Sequence, residues 1–321
     1  MLKAIGFLII LKMKKKYSWF IFLPLLFFFF VFLQKVSAQE SAGIALSPPT
    51  FEISANPGDI LKNTIRVENL NDRAIQVVVD KRNFTALGEE GSVSLTEEET
   101  PFSLASWISV EPTEAEIGAK STRTFVFTTN VPLNAEPGGH FGSIVFKVGA
   151  DAKVAQTGAT VSQELGALVL LEIAGKATEA AILETFNAKK LFWEKGPVDF
   201  EIRVKNEGNV HLKPQGTIMI MDTLGKRVAH FEIEPKNVLP GAIRRTEASW
   251  EKGFILGRYT ATASLVYGTK GEILTGSTTF IGFPYRLAGI IGLILVVVIL
   301  FLYKIRKRLK LALRVLFGKY K

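Results

Sequence analysis

The stretch TIRVENLNDRAIQVVVD, Thr64–Asp80, decides the fold. Apolar and polar residues alternate through Ile65 and Val67, then again through Ile75, Val77 and Val79, which is the period of a half-buried strand. Between the two runs lies Asn69-Leu70-Asn71-Asp72. Asn and Asp tolerate positive φ and bond their own backbone, so this tetrapeptide reads as a turn. A strand, a reversal and a second strand are written into one short stretch.

The same pattern extends outward. FEISANPGD (Phe51–Asp59), TRTFVFTTNVP (Thr122–Pro132) and HFGSIVFKVG (His140–Gly149) alternate in the same way, and Gly, Pro, Asn and Asp punctuate them. The chain also echoes itself. Ile65-Arg66-Val67-Glu68-Asn69 returns as Ile202-Arg203-Val204-Lys205-Asn206. Val110-Glu111-Pro112, leading to Arg123-Thr124, returns as Ile233-Glu234-Pro235, leading to Arg245-Thr246. Gly139-His140-Phe141 returns as Gly257-Arg258-Tyr259. Three echoes in one order argue for two copies of one topology. The offset shortens along the chain, so the first copy carries extra loop, for which Ala86–Pro101 is the surplus. The expected fold class is all-β: two tandem Ig-like β-sandwiches, over residues 39–176 and 177–282. Their boundary falls near Gly175–Thr178, after the apolar strand Leu165–Ile173. Phe141 and Tyr259 are expected to point into the two cores, with Trp107 and Trp250 filling them.

Charge is unevenly spread. The formal charge is +9, yet residues 1–38 hold six Lys and no acid, and residues 287–321 hold eight Lys or Arg and no acid. The other 25 basic residues face all 30 acids, leaving residues 39–286 at about −5. A nucleic-acid binder concentrates positive charge on its folded domain, and this chain does not. There is no cysteine, which excludes disulfides, thiolate nucleophiles and Cys-ligated metals.

The basic ends flank apolar runs. Lys14–Lys16, the apolar Trp19–Leu33 and Val36-Ser37-Ala38 have the layout of a secretory signal peptide over residues 1–38, cleaved before Gln39; the alternative is an uncleaved N-terminal anchor, to which Ala4–Leu11 adds apolar length. Met13 directly precedes the lysines and is an alternative start. Leu287–Tyr303 is uncharged. With its flank it forms a transmembrane helix over 283–303, where Phe283 and Tyr285 suit the interface. Positive charge just past a spanning helix marks the cytoplasmic side, so Lys304, Arg306, Lys307, Arg308 and Lys310 orient residues 304–321 inward. Ile305, Leu309, Ala312 and Leu316 recur at helical spacing along this tail. The expected location is the cell membrane, single-pass, with both sandwiches extracellular.

Chemistry is sparse. His140, His211 and His230 have no acid or second histidine at metal-ligand spacing on a helix, so no metal or other cofactor is expected. No Gly-rich loop follows a strand and opens a helix, so nucleotide binding has no support. The pair His140/Ser143 lacks a third partner for nucleophilic catalysis. The chain reads as a binding protein, not an enzyme.

Pro48–Asp80, with its Pro-Pro start, Phe51, Asn56-Pro57-Gly58 and Val67-Glu68-Asn69, resembles the N-terminal domain of the WxL-interacting proteins of Gram-positive bacteria, as does Val131–Phe146. More distantly, the latter is similar to the periplasmic pilus chaperones. The resemblance implies peptidoglycan contact by the first domain and capture of surface proteins by the second. The expected function is thus a membrane-anchored scaffold or adhesion module that binds peptidoglycan or cell-surface proteins. The alternative is a tethered chaperone or assembly factor acting by strand addition at an open sheet edge. Candidate contact residues lie on the two loops least constrained by a core: Asn134, Glu136 and His140 on one, Glu89 and Glu98 on the other.

Overall fold

The computed structural model describes residues 43–148 and 163–316, with side chains as far as Arg306. The signal-peptide expectation lies outside them, as do the side chains of Lys307, Arg308 and Lys310.

Ten strands build the first sandwich: β1 (Ile44–Ser47), β2 (Thr50–Ala55), β3 (Ile60–Asn69), β4 (Ile75–Leu87), β5 (Ser92–Thr96), β6 (Ile108–Glu111), β7 (Glu114–Ile117), β8 (Thr122–Asn130), β9 (Gly138–Val148) and β10 (Gln163–Ile173). One sheet has the order β1-β3-β8-β6. The other runs β2-β10-β9-β4-β5, with β7 also against β4. Between them lies a core that includes Ile65, Val67, Phe125, Phe127, Ile144, Phe146, Val169 and Leu171. These are alternate positions of their strands, as the pleat demands.

The second sandwich repeats the plan with β11 (Ala181–Ala188), β12 (Phe192–Trp193), β13 (Val198–Asn206), β14 (Gln215–Asp222), β15 (Arg227–Ile233), β16 (Ile243–Trp250), β17 (Gly257–Tyr267) and β18 (Glu272–Gly282). Its sheets are β11-β13-β16 and β12-β18-β17-β14-β15. Tyr259 and Phe280 stack with centroids 5.4 Å apart, and Trp250 meets Tyr259 edge-on at 5.4 Å. Trp250 fills this core as expected and Trp107 packs half-buried against the first; Trp193 is a third buried tryptophan.

The echoes are real but not in the register read from the sequence. β3 and β13 correspond residue for residue: Asn69 and Asn206 are both fully buried and close the same turn. Asn206 Nδ2 donates to Val210 O and Val238 O, and its Oδ1 accepts from Gly208 N, all at 2.8 Å. Asn69 does likewise with Arg73 O, Ile117 O, Gly118 O and Asn71 N. Further on the copies slip by one. Arg66 lies opposite Thr124, whereas its counterpart Arg203 lies opposite Arg245. In β17 Tyr259 faces the core, but in β9 the inward side belongs to His140, Ile144 and Phe146, and Phe141 faces out. A one-residue slip moves a side chain to the other face. Val110-Glu111-Pro112 and Ile233-Glu234-Pro235 are not equivalent at all: β6 pairs with β8, while β15 pairs with β14 in the opposite sheet.

Past β18 the chain turns into α1 (Tyr285–Leu316). Its first 22 residues, Tyr285–Arg306, contain an 18-residue window of mean hydropathy 2.7, none of it buried against the protein. At 1.5 Å per residue this stretch is about 33 Å long, enough to cross a ~30 Å hydrocarbon layer.

Candidate functional site: an open strand edge beside an interdomain seam

The outer face of the β2-β10-β9-β4-β5 sheet is where the two sandwiches meet. β9 is buried on both faces from Gly138 to Phe146. Phe84, Phe141 and Leu170 form a second apolar cluster there, joined by Val93, Leu95, Leu168 and, from the second sandwich, Leu239. A cleft of about 210 Å³ opens beside it, between Phe84, Leu168 and Leu170 on one side and Val238, Leu239 and Arg244 on the other. His211 lies against Phe141 at 6.1 Å, and burial holds its imidazole below the ordinary histidine range.

Polar contacts close the seam at both ends. At one end Gly139 N donates to Asn209 O at 2.8 Å. Gly138, with φ +127°, has no room for a side chain, since a Cβ would lie 2.9 Å from Asn209 O. At the other end the β4–β5 turn reaches the second sandwich. Arg203 grips Glu89 in a two-point pair, with Nε–Oε2 at 2.7 Å, and Arg245 pairs with Glu90. Arg245 N donates to Glu89 O at 2.8 Å, so the turn caps the edge of β16. Glu52 takes Lys213 Nζ at 2.9 Å and Asn237 Nδ2 at 2.7 Å. Hydrogen bonds to these partners hold the carboxyls of Glu52 and Glu89 below their ordinary range, and the bond from Glu89 pushes the Arg203 guanidinium further up.

Among the described residues the sheet edge is open elsewhere. β2 pairs with β10 only over Leu168–Ile173. Pro48 and Pro49 have no N–H and end that pairing, and the preceding strand β1 belongs to the other sheet, against β3. Gln163–Ala167 therefore pairs with β9 on one side, and no described residue pairs with its other side. Leu168 N donates outward to Pro49 O at 3.0 Å, so by alternation Glu164 and Gly166 also aim N–H and C=O outward. Beside this gap Ile44 and Leu46 of β1 pack half-buried against the core.

The sequence-predicted contact residues divide. His140 is buried, its ring 4.5 Å from Trp107 and its nitrogens 3.3 Å from Ser103 O and 3.0 Å from Glu136 O. Glu89 is committed to Arg203. Asn134, Glu136 and Glu98 are exposed. The acidic turn expected to offer contact residues is in part an interdomain strut. Sequence reasoning passed over Arg203 and Arg245, whose alternation in β13 and β16 marks them only as outward-facing. Among the described residues no group of three or more His, Asp or Glu is placed to hold a metal ion.

No family model matches the sequence, and neither does any curated protein. Solved structures similar to it include the class 5 fimbriae chaperone CfaA, at 12% identity and TM-score 0.41, covering 74% of this chain and 99% of that one. The E. coli chaperone DraB is 10% identical, at TM-score 0.35 over 75% and 96%. The chaperone–tip adhesion subunit pre-assembly complex of Csu pili from Acinetobacter baumannii gives 13%, at TM-score 0.34 over 64% and 89%. Likenesses this loose bear on neither partner nor mechanism, which have to come from the edges and seams of the chain itself.

Proposed function

We propose that the protein is a membrane-anchored, non-enzymatic module of the cell envelope that holds an exported polypeptide by strand addition at Gln163–Ala167. The carrying observation is that, among the described residues, half of the β10 edge has no partner strand; it is bordered by the end of β2 and by apolar Ile44 and Leu46. A guest strand laid there continues the sheet where β2 stops. Glu164 and Gly166 offer it two N–H and two C=O groups. At ~0.5–1.5 kcal/mol net per bond, four bonds contribute roughly 2–6 kcal/mol. That is a millimolar grip at the lower end of usefulness, since 1 mM corresponds to about 4 kcal/mol. Affinity and selectivity then depend on the guest's side chains over Ile44, Leu46 and Leu165. Such a hold is releasable, which suits an assembly factor better than a permanent wall tether. In this reading both sandwiches lie outside, and Lys304 and Arg306 face the cytoplasm.

The test is photo-crosslinking from position 163 in the full-length protein in its own membrane. The expected product is an adduct with a polypeptide. It is lost in Glu164→Pro, which removes one outward N–H without touching the β9 ladder, and kept in Glu164→Gln. An adduct with wall glycan, or equal yield in the proline variant, rejects strand addition.

A further inference from the structure

Several loops of the second sandwich gather at the end from which α1 departs. Register places four segments at this end. Gly257 lies opposite Gly282, Asp222 opposite Tyr259, Trp193 opposite Gly282, and Val198 opposite Trp250. The loops 189–197, 222–226, 251–256 and 283–284 therefore converge. The opposite end of the sandwich holds Asn209, Lys213 and Asn237, which meet the first sandwich.

This base displays large apolar side chains in the open: Leu191, Phe192, Leu224, Phe254, Leu256 and Phe283. Leu224 is 92% exposed at the tip of a turn whose Asp222 Oδ1 accepts from Leu224 N at 2.9 Å and Lys226 N at 3.0 Å. The turn is braced, and the leucine is what it presents. Ile255 is buried between exposed Phe254 and Leu256, and Tyr259 Oη donates to Leu256 O at 3.1 Å, so this loop is tied down as well. Exposed Lys190, Lys195, Lys226 and Arg258 stand among the apolar groups. Apolar side chains interleaved with cations are the chemistry of an anionic lipid surface.

The distance to the membrane is set by the chain. Ile281 N donates to Leu191 O and Phe283 N to Trp193 O, both at 2.8 Å, and Arg286 Nε lies 3.3 Å from Glu194. Only Phe283 and Pro284 separate β18 from α1. Two residues reach at most about 7 Å, close to the ~5–7 Å thickness of one headgroup layer. The base loops cannot stand clear of the bilayer that α1 enters.

We propose that the base of the second sandwich, led by Leu224 and Phe254, inserts into the headgroup layer of the leaflet from which α1 descends, recognising anionic lipid. The inference rests on α1 spanning that membrane. It makes the second sandwich a fixed pedestal that sets the height and tilt of the open edge on the first.

The chain has no cysteine, so single-cysteine labelling is clean. Full-length Leu224→Cys, Phe254→Cys, Leu133→Cys and Ile294→Cys carry a nitroxide in vesicles of phosphatidylcholine with phosphatidylglycerol. Collision with oxygen, which partitions into lipid, is compared with collision with an aqueous nickel chelate. The expected oxygen-to-nickel ratio at positions 224 and 254 is several-fold above that at Leu133, which is 87% exposed on the first sandwich, and below that at Ile294. The ratio at position 224 falls toward the Leu133 value in a Phe254→Glu background or in pure phosphatidylcholine. A lipid-like ratio at Ile294 with a water-like ratio at 224 and 254, or shielding of both from either reagent as a second copy would give, overturns the lipid contact and leaves the anchor standing. A water-like ratio at Ile294 overturns both.

Discussion

Asn206→Ala tests whether the buried asparagine, and not the apolar strand before it, closes the turn between β13 and β14. The side chain is fully buried and makes three bonds of 2.8 Å. Their loss is unequal. Val238 O also accepts Leu212 N at 3.0 Å, so it keeps a partner. Val210, itself buried, loses the donor to its carbonyl, and the Gly208 N–H lies in a partly exposed turn that water can reach. At ~1–3 kcal/mol for the one buried group left bare, the expected cost is about 1–3 kcal/mol. Asn206→Asp keeps Oδ1 but sets a carboxylate oxygen against two carbonyls. Its folded pKa is thereby raised above the unfolded ~3.9, so the variant is least stable at neutral pH and recovers as pH falls through the folded value. Urea unfolding of the full-length protein in detergent reads the effect from Trp193 and Trp250, in a Trp107→Phe background. A cost below about 0.5 kcal/mol, or an Asp variant indifferent to pH, refutes the reasoning.

The seam yields two more predictions. Glu52 and Glu89 have lowered carboxyl pKa values, so their share of the coupling is complete above the unfolded ~4.3 and disappears as pH falls through the lowered values. Labels at Leu133→Cys and Ile273→Cys should give one narrow distance distribution at pH 7 that broadens below about pH 4; an unchanged distribution at pH 3 contradicts an ionic seam. Phe141→Ala removes a buried ring that meets Phe84, Phe102 and His211. It should cost ~3–5 kcal/mol, and it should speed hydrogen exchange at Gly139 N, whose acceptor is in the other sandwich; full retention of that protection argues against a shared apolar seam.

Fold was legible where local chemistry and tertiary role coincide. Asn69 and Asn206 are turn residues by composition and turn residues in space, so the echo around them was readable. Gly139-His140-Phe141 misled because an aromatic after glycine looks like core in either register. Only the second sandwich, by covering the outer face of β9, makes Phe141 buried on the wrong side. The commitment of Glu89 was hidden for a related reason: its partner Arg203 lies 114 residues away, and no spacing rule joins them. The open edge at Gln163–Ala167 depends on where β2 stops, which Pro48 and Pro49 announce but whose consequence for β10 appears only once the sheet is assembled. The exposed apolar groups around Leu224 and Phe254 were likewise invisible as a group, because four separate loops contribute them.

Pairing of a guest polypeptide with the outward groups of Glu164 and Gly166 would change how their amides exchange. Amide hydrogen exchange on the full-length protein in lipid nanodiscs, with and without its crosslinked partner, tests it directly. The predicted result is that these two amides exchange freely in the unbound protein and become protected on binding, while Leu165 and Ala167, already bonded to β9, change little. Unchanged exchange at Glu164 and Gly166 in a demonstrably bound complex contradicts it.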